Sequence, residues 1–261
     1  MRVRMADLGI LALGLGLLPF ASLGLYGVAS RIGRHRDAVW GFLVGVLAFL
    51  GLSHAMAAVL FDESALSLSI GSGGALALIG FGIAIGFVLG WVLIERGVGR
   101  DVPILSRVAW AALAFLAVHS VSDGLVLGQS YAGPIVVGVE VDAVLFSGTV
   151  VHRLLEGAVV LVPALAAMWR PDKTATALTA GLLVVPAAFL PAAIFESVSL
   201  GAGSALTHAL MVFFGAAEAG LVLSLLLLGF LPQVVQTDRM RWAAWAGVGF
   251  LTIALVHSLV E

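Results

Sequence analysis

Residues 113–128, LAFLAVHSVSDGLVLG, and residues 143–163, AVLFSGTVVHRLLEGAVVLVP, are apolar runs that carry one short pattern twice. In each run a histidine is followed four residues later by a carboxylate and then by a glycine, as His119-Asp123-Gly124 and as His152-Glu156-Gly157. On a helix, residues four positions apart lie on the same face, so each run presents an imidazole beside a carboxylate. Two such helices facing each other offer nitrogens and oxygens suited to a borderline divalent cation such as Zn²⁺. The pattern predicts a metal site within the apolar segments, and its predicted primary ligands are His119, Asp123, His152 and Glu156.

The composition places most of the chain in a lipid bilayer. Of the 261 residues, 61% are hydrophobic and 11% are charged, and the mean hydropathy is +1.15, whereas about 25% of the residues of a soluble domain are charged. The net charge of −2 argues against nucleic acid as a partner, and the absence of cysteine excludes thiolate ligands. We expect residues 1–261 to form a single transmembrane domain.

Eight apolar runs of about 20 residues are each long enough to span a bilayer. The predicted spans are Leu8–Ala29, Ala38–Phe61, Gly71–Ile94, Leu105–Gly128, Ala143–Met168, Thr174–Val198, Ser204–Leu231 and Trp242–Val260. They predict an all-α polytopic membrane protein of eight transmembrane helices. The fourth and fifth helices, which carry the two patterns, are expected to be central, with three helices on either side in a 3+2+3 arrangement.

The charged residues between the spans predict the orientation of the chain. Ten of the 13 Lys and Arg residues fall in alternate loops, which the positive-inside rule makes cytoplasmic. Both termini are then outside, with the plasma membrane as the expected location. The loops on the other side carry acidic residues that would attract cations, namely Asp62, Glu63, Glu140 and Asp142. The fourth and fifth spans run in opposite directions, and both patterns lie in their outer halves, so that the two patterns can meet.

Carboxylates within apolar helices are costly, which favours a functional role over simple helix contact. An acidic residue at the centre of a membrane helix costs about 2.5–3.5 kcal/mol on the insertion scale. An interhelical hydrogen bond returns only about 0.6 kcal/mol on average. Helix association through Ser and Thr would avoid that cost, so Asp123, Glu156 and Glu218 point to a bound cation.

Other polar residues lie within or near the spans, and their roles stay open at this stage. His54 and His208 are either packed at helix interfaces or ligands on an entry path from outside. Glu218, near the middle of the seventh span, is a candidate accessory or gating carboxylate. His35 and His257 lie near the ends of spans, and packing at the membrane interface accounts for both.

The paired patterns resemble those of the ZIP family of divalent metal (zinc/iron) transporters. In that family the fourth helix carries a pattern like His-Asn-x-x-Asp/Glu-Gly, and the fifth carries one like His-Glu/Asn-x-x-Glu-Gly. Pro163 and the stretch Gly45–His54 are also similar to the family. The resemblance covers the whole chain, and it implies eight helices, both termini outside and a homodimer.

Two positions depart from the family pattern. Ser120 stands where Asn is frequent, and Arg153 stands where Glu, Asp or Asn is frequent. In the family these neighbours help to form a second metal position, for which Ser120 remains an accessory candidate. The Arg153 guanidinium either reaches the Glu156 carboxylate three residues on or extends outward to the membrane surface. In the first case Arg153 substitutes for the charge of a second metal, and the centre binds one ion.

The resulting expectation is a transporter that moves Zn²⁺ from outside to the cytoplasm by alternating access. The metal is the transported substrate, and neither a cofactor nor an enzymatic activity is expected. The residue types do not rank Zn²⁺ against Fe²⁺, Mn²⁺, Co²⁺ or Cd²⁺. Two alternatives stay open: an intramembrane zinc-dependent hydrolase that uses a metal-activated water, and a metal-binding relative that does not transport.

Overall fold

In the computed structural model, the described residues are 35–57, 71–97, 101–132, 143–198, 202–235 and 239–260. They are helical apart from a few residues at turns and helix ends, and no strand occurs among them. In chain order, these are α1 Arg36–Ala57, α2 Ser72–Glu95, α3 Ile104–Ala132, α4 Ala143–Ala166, α5 Pro171–Leu182, α6 Val184–Val198, α7 Ala202–Ser224, a π-helical segment Leu225–Phe230, α8 Leu231–Val235 and α9 Arg239–Val260. The predicted all-α architecture is confirmed for this part of the chain. The first predicted span, Leu8–Ala29, lies outside the described residues.

Five stretches of the described chain are long and apolar enough to cross a membrane. They are Asp37–Met56, Ser72–Glu95, Ile104–Leu125, Pro171–Ala192 and His208–Val235. By length and composition the chain is therefore an integral membrane protein. Among the described residues, α4 and α9 do not reach the same length of apolar sequence, and the number of eight spans stays a prediction.

The helices pack in nested pairs. Helix α1 packs along α9, α2 along α7 and α3 along α6, while α4 lies against α3 and α9. The first described helix thus pairs with the last, and the pairs close inward along the chain. This arrangement brings polar residues that are far apart in sequence to the same region of the bundle.

Glycines allow α2 and α7 to approach until their backbones touch. A Cβ atom added at Gly86 of α2 would lie 1.8 Å from the carbonyl oxygen of Ala217 on α7. One added at Gly220 of α7 would lie 2.1 Å from the carbonyl oxygen of Ile83 on α2. Small residues at helix contacts permit this close packing in membranes. Because Ala217 precedes Glu218 in sequence, the same contact holds the Glu218 carboxylate at a fixed place in the bundle.

The sixth predicted span, Thr174–Val198, is divided into two helices. Helix α5 ends at Leu182 and α6 begins at Val184. Pro186 explains the break, because it lacks an N–H donor and its ring would clash with the carbonyl group of Leu182, four residues earlier. The seventh predicted span is continuous, but it contains the π-helical segment Leu225–Phe230.

Candidate metal centre

His119 on α3 is the residue around which the other ionisable side chains gather. Helix α4 contributes His152 and Glu156, α1 contributes His54, and α7 contributes Glu218. Among the described residues, these side chains form two groups of three ligand atoms, and within each group all atoms lie within 4.8 Å of one another. One group is His119, His152 and Glu156; the other is His54, His119 and Glu218. All five are buried except His54, which is half-buried.

The first group joins α3 to α4 through one carboxylate oxygen. The Glu156 Oε1 atom lies 2.5 Å from His119 Nε2 and 2.5 Å from His152 Nε2. The two imidazole rings are stacked, with their centroids 5.8 Å apart and an interplanar angle of 22°. His152 and Glu156 are one helical turn apart, as the spacing of the pattern predicts. The predicted ligands His119, His152 and Glu156 are thus close together in the structure.

The second group joins α3 to α1 and α7 through another carboxylate oxygen. The Glu218 Oε1 atom lies 2.8 Å from His119 Nδ1 and 2.9 Å from His54 Nε2. On its other side, His54 Nδ1 lies 2.7 Å from the backbone carbonyl oxygen of Leu50. A carbonyl oxygen only accepts hydrogen bonds, so His54 Nδ1 carries the proton and donates it there. In a neutral His54 ring, the lone pair of Nε2 then faces Glu218.

Neutral imidazoles would carry too few protons for the four nitrogen–oxygen contacts of this cluster. Each neutral imidazole carries one N–H group. The N–H of His54 is directed at Leu50, and His119 has one N–H for two carboxylates. With neutral imidazoles, at least two contacts therefore bring a nitrogen lone pair against a carboxylate oxygen. Such contacts repel unless a cation, either a metal ion or added protons, lies between them.

The apolar surroundings of His119 strengthen the need for a cation between its ring nitrogens and the carboxylates. The Phe115 ring stacks on the His119 ring, with centroids 5.8 Å apart, and both side chains are buried. Both ring nitrogens of His119 are buried without a hydrogen bond of normal geometry, despite carboxylate oxygens 2.5 and 2.8 Å away. Unsatisfied polar groups in an apolar environment are expensive. The carboxylate oxygens near His119 do not lie along the direction of a ring N–H bond. This arrangement suits coordination of a shared ion better than it suits hydrogen bonding.

Asp123, the fourth predicted primary ligand, lies at the edge of the cluster. Its Oδ2 atom is 3.6 Å from His119 Nε2, and its side chain is 27% exposed. Within the described part of the chain it belongs to neither group of three. The structure therefore places Asp123 beside His119 at the more exposed edge of the cluster.

The remaining candidates are placed as follows. His208 on α7 is half-buried, and its Nε2 atom is buried without a hydrogen bond; it belongs to neither ligand group of the described residues. Ser120 is fully buried, and its hydroxyl oxygen has no hydrogen-bond partner. The side chain of Arg153 lies outside the described residues. So do the four predicted external acids, Asp62, Glu63, Glu140 and Asp142.

Two residues contribute more to the cluster than the sequence indicated. Glu218, expected only as an accessory or gating group, lies 2.8 Å from His119, closer than the 3.6 Å of the motif residue Asp123. His257, expected to pack at the membrane interface, stacks on His152 with ring centroids 5.8 Å apart. In the sequence, Glu218 stands out as a charged residue within an apolar run. This indicates a functional role but does not indicate which residues Glu218 contacts. For His257 the partner follows only from the packing of α4 against α9.

The donor set decides the chemistry that this centre can perform. Each group offers two imidazole nitrogens and one carboxylate oxygen, which suits Zn²⁺ and related divalent transition metals. Oxygen-only donor sets, which Mg²⁺ and Ca²⁺ prefer, are not formed here. No protein-family model matches this chain, and no curated protein matches it at a significant level. The assignment of a function therefore depends on the geometry of the centre.

Proposed function

We propose that this chain is a transporter of divalent metal cations, with Zn²⁺ as its leading substrate and with net movement from outside to the cytoplasm. One observation carries the proposal: two buried carboxylates, Glu156 and Glu218, each contact two imidazole nitrogens, and the His119 ring lies between them with one nitrogen facing each. A divalent cation bound in the cluster compensates the charge of the two carboxylates and accepts lone pairs from the nitrogens it contacts.

The position of the cluster supports transport over a structural role. Its ligands come from four helices, α1, α3, α4 and α7, of which α1, α3 and α7 contain stretches apolar enough to cross a membrane. A site between several helices is suited to alternating access, since relative movement of the helices opens it to one side or the other. A structural ion would need neither two carboxylates nor a cluster shared by so many helices.

The proposal includes the finer expectations from the sequence. We propose eight transmembrane helices in a 3+2+3 arrangement with both termini outside, a homodimer in the plasma membrane, and membership of the ZIP family. Their support is the paired patterns on α3 and α4 and the charge of the loops. The external acids attract the cation, His54 and His208 line the entry path, and the cluster around His119 replaces the hydration shell.

Metal flux into proteoliposomes tests the proposal. The purified chain should give saturable uptake of radioactive Zn²⁺, and Glu156→Gln should reduce it at least about tenfold, because a ligand and a charge are removed together. Glu95→Gln is the matched control, because Glu95 is exposed at the end of α2. Uptake by Glu156→Gln at the rate of the unmodified protein would contradict the assignment of the site. Unsaturable leakage from the unmodified protein would contradict transport itself.

An intramembrane hydrolase is the second candidate, and one observation favours it. Two His and one Glu are three protein ligands that leave a fourth position of Zn²⁺ open for a water, as in catalytic zinc sites. A hydrolase would cleave a membrane-embedded peptide in the presence of Zn²⁺ and show no saturable flux. The same proteoliposomes, with a helical peptide substrate added, distinguish the two functions.

A further inference from the structure

We propose that a single divalent cation has two alternative positions in this protein, one on each side of the His119 ring. The ε position is formed by His119 Nε2, His152 and Glu156, and the δ position is formed by His119 Nδ1, His54 and Glu218. The inference rests on the proposed transport function and deepens it, because it divides the path of the ion into two steps.

The two positions use different nitrogens of the same imidazole. Glu156 lies 2.5 Å from His119 Nε2, whereas Glu218 lies 2.8 Å from His119 Nδ1. The two ring nitrogens point in different directions, so an ion bound to one is separated from an ion bound to the other by the ring itself. Each side also supplies a second imidazole, His152 or His54, in contact with the same carboxylate. The δ side is prepared for a metal, because the hydrogen bond to Leu50 leaves His54 Nε2 with its lone pair.

One ring can serve only one of these positions at a time. A neutral imidazole has one lone pair for a metal, and its other nitrogen carries a hydrogen. With the ion in the ε position, His119 Nδ1–H donates to Glu218, which orients the ring as an outer carboxylate does for many metal-binding histidines. With the ion in the δ position, His119 Nε2–H donates to Glu156. The exchange therefore includes a proton step: Nδ1 releases its proton to water as the ion arrives, and Nε2 takes up a proton from water as the ion leaves, so that the ring carries one proton in both states. Occupancy is therefore one ion per chain, and the empty side stabilises the ring that holds the ion.

The exchange between positions changes which helices the ion connects. In the ε position it joins α3 to α4, and in the δ position it joins α3 to α1 and α7. When the ion moves from the Nε2 side of His119 to the Nδ1 side, it loses its contacts with α4 and gains contacts with α1 and α7. Movement of the ion is thus linked to a change in helix contacts, which alternating access requires.

Cadmium binding to the purified full chain in detergent tests the two positions. We expect one Cd²⁺ per chain in the unmodified protein, in Glu156→Gln and in Glu218→Gln, with the affinity of each variant lowered at least tenfold. His119→Gln and the double variant E156Q/E218Q should bind none at the same Cd²⁺ concentration. The ¹¹³Cd resonance should differ between the two single variants, because each retains the position that the other has lost. Glu95→Gln and His35→Gln, at exposed residues outside the cluster, should bind as the unmodified protein does.

Several outcomes would overturn the inference. Two Cd²⁺ ions per unmodified chain would show that the positions fill independently. Complete loss of binding in Glu156→Gln, together with retained helical circular dichroism, would show that no δ position exists. If either carboxamide variant fails to fold, His152→Gln and His54→Gln replace it, since each removes one ligand from one side only.

Flux measurements separate this inference from the proposed function. Both Glu156→Gln and Glu218→Gln should bind Cd²⁺ and yet lose Zn²⁺ uptake, because each leaves only one of two required steps. Normal uptake by Glu218→Gln would remove the δ position from the path while transport itself stands. Absence of uptake in the unmodified protein, with the binding pattern intact, would refute transport and leave the two positions established.

Discussion

At the scale of single residues, His119 differs from the other histidines because both of its ring nitrogens face carboxylates. The spacing in the sequence indicated one partner, at the fourth residue along the helix, and the structure adds Glu156 and Glu218 from other helices. The partner indicated by spacing, Asp123, is the most distant of the three carboxylates and the most exposed. The two motif carboxylates therefore differ in position: Glu156 lies within the cluster, whereas Asp123 lies at its edge.

The first prediction concerns this difference between the two motif carboxylates. We expect Asp123→Asn to retain saturable Zn²⁺ uptake with a raised KM, because Asp123 lies outside both ligand groups and contributes charge near the edge of the cluster. Glu156→Gln should abolish uptake in the same assay. Concentration-dependent flux in proteoliposomes measures both. Equal loss in the two variants would make Asp123 a primary ligand, as the pattern alone suggests.

The second prediction concerns the charge of Arg153, which stands between His152 and Glu156 in sequence. A permanently charged guanidinium on this helix should exclude a second cation from the neighbourhood of Glu156. We expect Arg153→Glu to bind a second metal ion per chain and to turn over more slowly, because a more anionic site releases its ion less readily. Elemental analysis of the purified variant gives the stoichiometry. An unchanged ratio of one metal per chain would show that Arg153 does not act as the charge substitute.

At the scale of helices, the sequence is informative about single segments and poor about their partners. Long apolar runs require helices, because backbone groups in lipid must be satisfied within the segment; α2 and α3 accordingly lie where apolar runs predict them. The break at Leu183 was missed because the apolar run continues through it, although Pro186 signals it locally. The contacts of Glu218 with His119 and of His257 with His152 were not predicted, because they depend on which helices pack together, and hydropathy carries no information about that.

The third prediction tests the contact that places Glu218. In Gly86→Ala the added methyl group would overlap the backbone of Ala217, so α2 and α7 must separate. Overpacking of this kind costs about 1–3 kcal/mol, and it should displace Glu218 from His119. We expect a lower melting temperature in detergent and reduced Zn²⁺ uptake. Gly80→Ala is the control on the same helix, since an added Cβ there meets nothing within 4 Å; an equal effect of both substitutions would contradict this explanation.

At the scale of the whole molecule, contacts gather the ends of several helices at one end of the bundle. The Arg107 guanidinium near the start of α3 donates to the carbonyl oxygen of Glu95 at the end of α2, at 2.7 Å. The indole N–H of Trp169 donates to the Ser106 hydroxyl at 2.5 Å, and Lys173 lies 3.9 Å from the Trp169 ring centroid. The α2–α3 and α4–α5 connections thus meet at one end. Both are rich in basic residues, which is the distribution expected of a cytoplasmic surface.

The fourth prediction follows from this shared end and concerns the orientation of the protein in the membrane. The chain contains no cysteine, so a single introduced thiol reports its own position. Asp101 is exposed in the α2–α3 connection, Asp172 is exposed in the first turn of α5, and Ser72 is exposed at the start of α2. The exposed ion pair of Asp172 with Arg170 contributes at most about 1 kcal/mol, so its replacement should leave the fold intact.

In intact cells, an impermeant maleimide should label Ser72→Cys and should label Asp101→Cys and Asp172→Cys only after permeabilisation. The reverse pattern would place both termini inside and invert the direction of transport. Labelling of Ser72→Cys and Asp101→Cys from the same side would mean that α2 does not cross the membrane. Because α7 packs along α2, that result would also contradict a membrane-spanning α7.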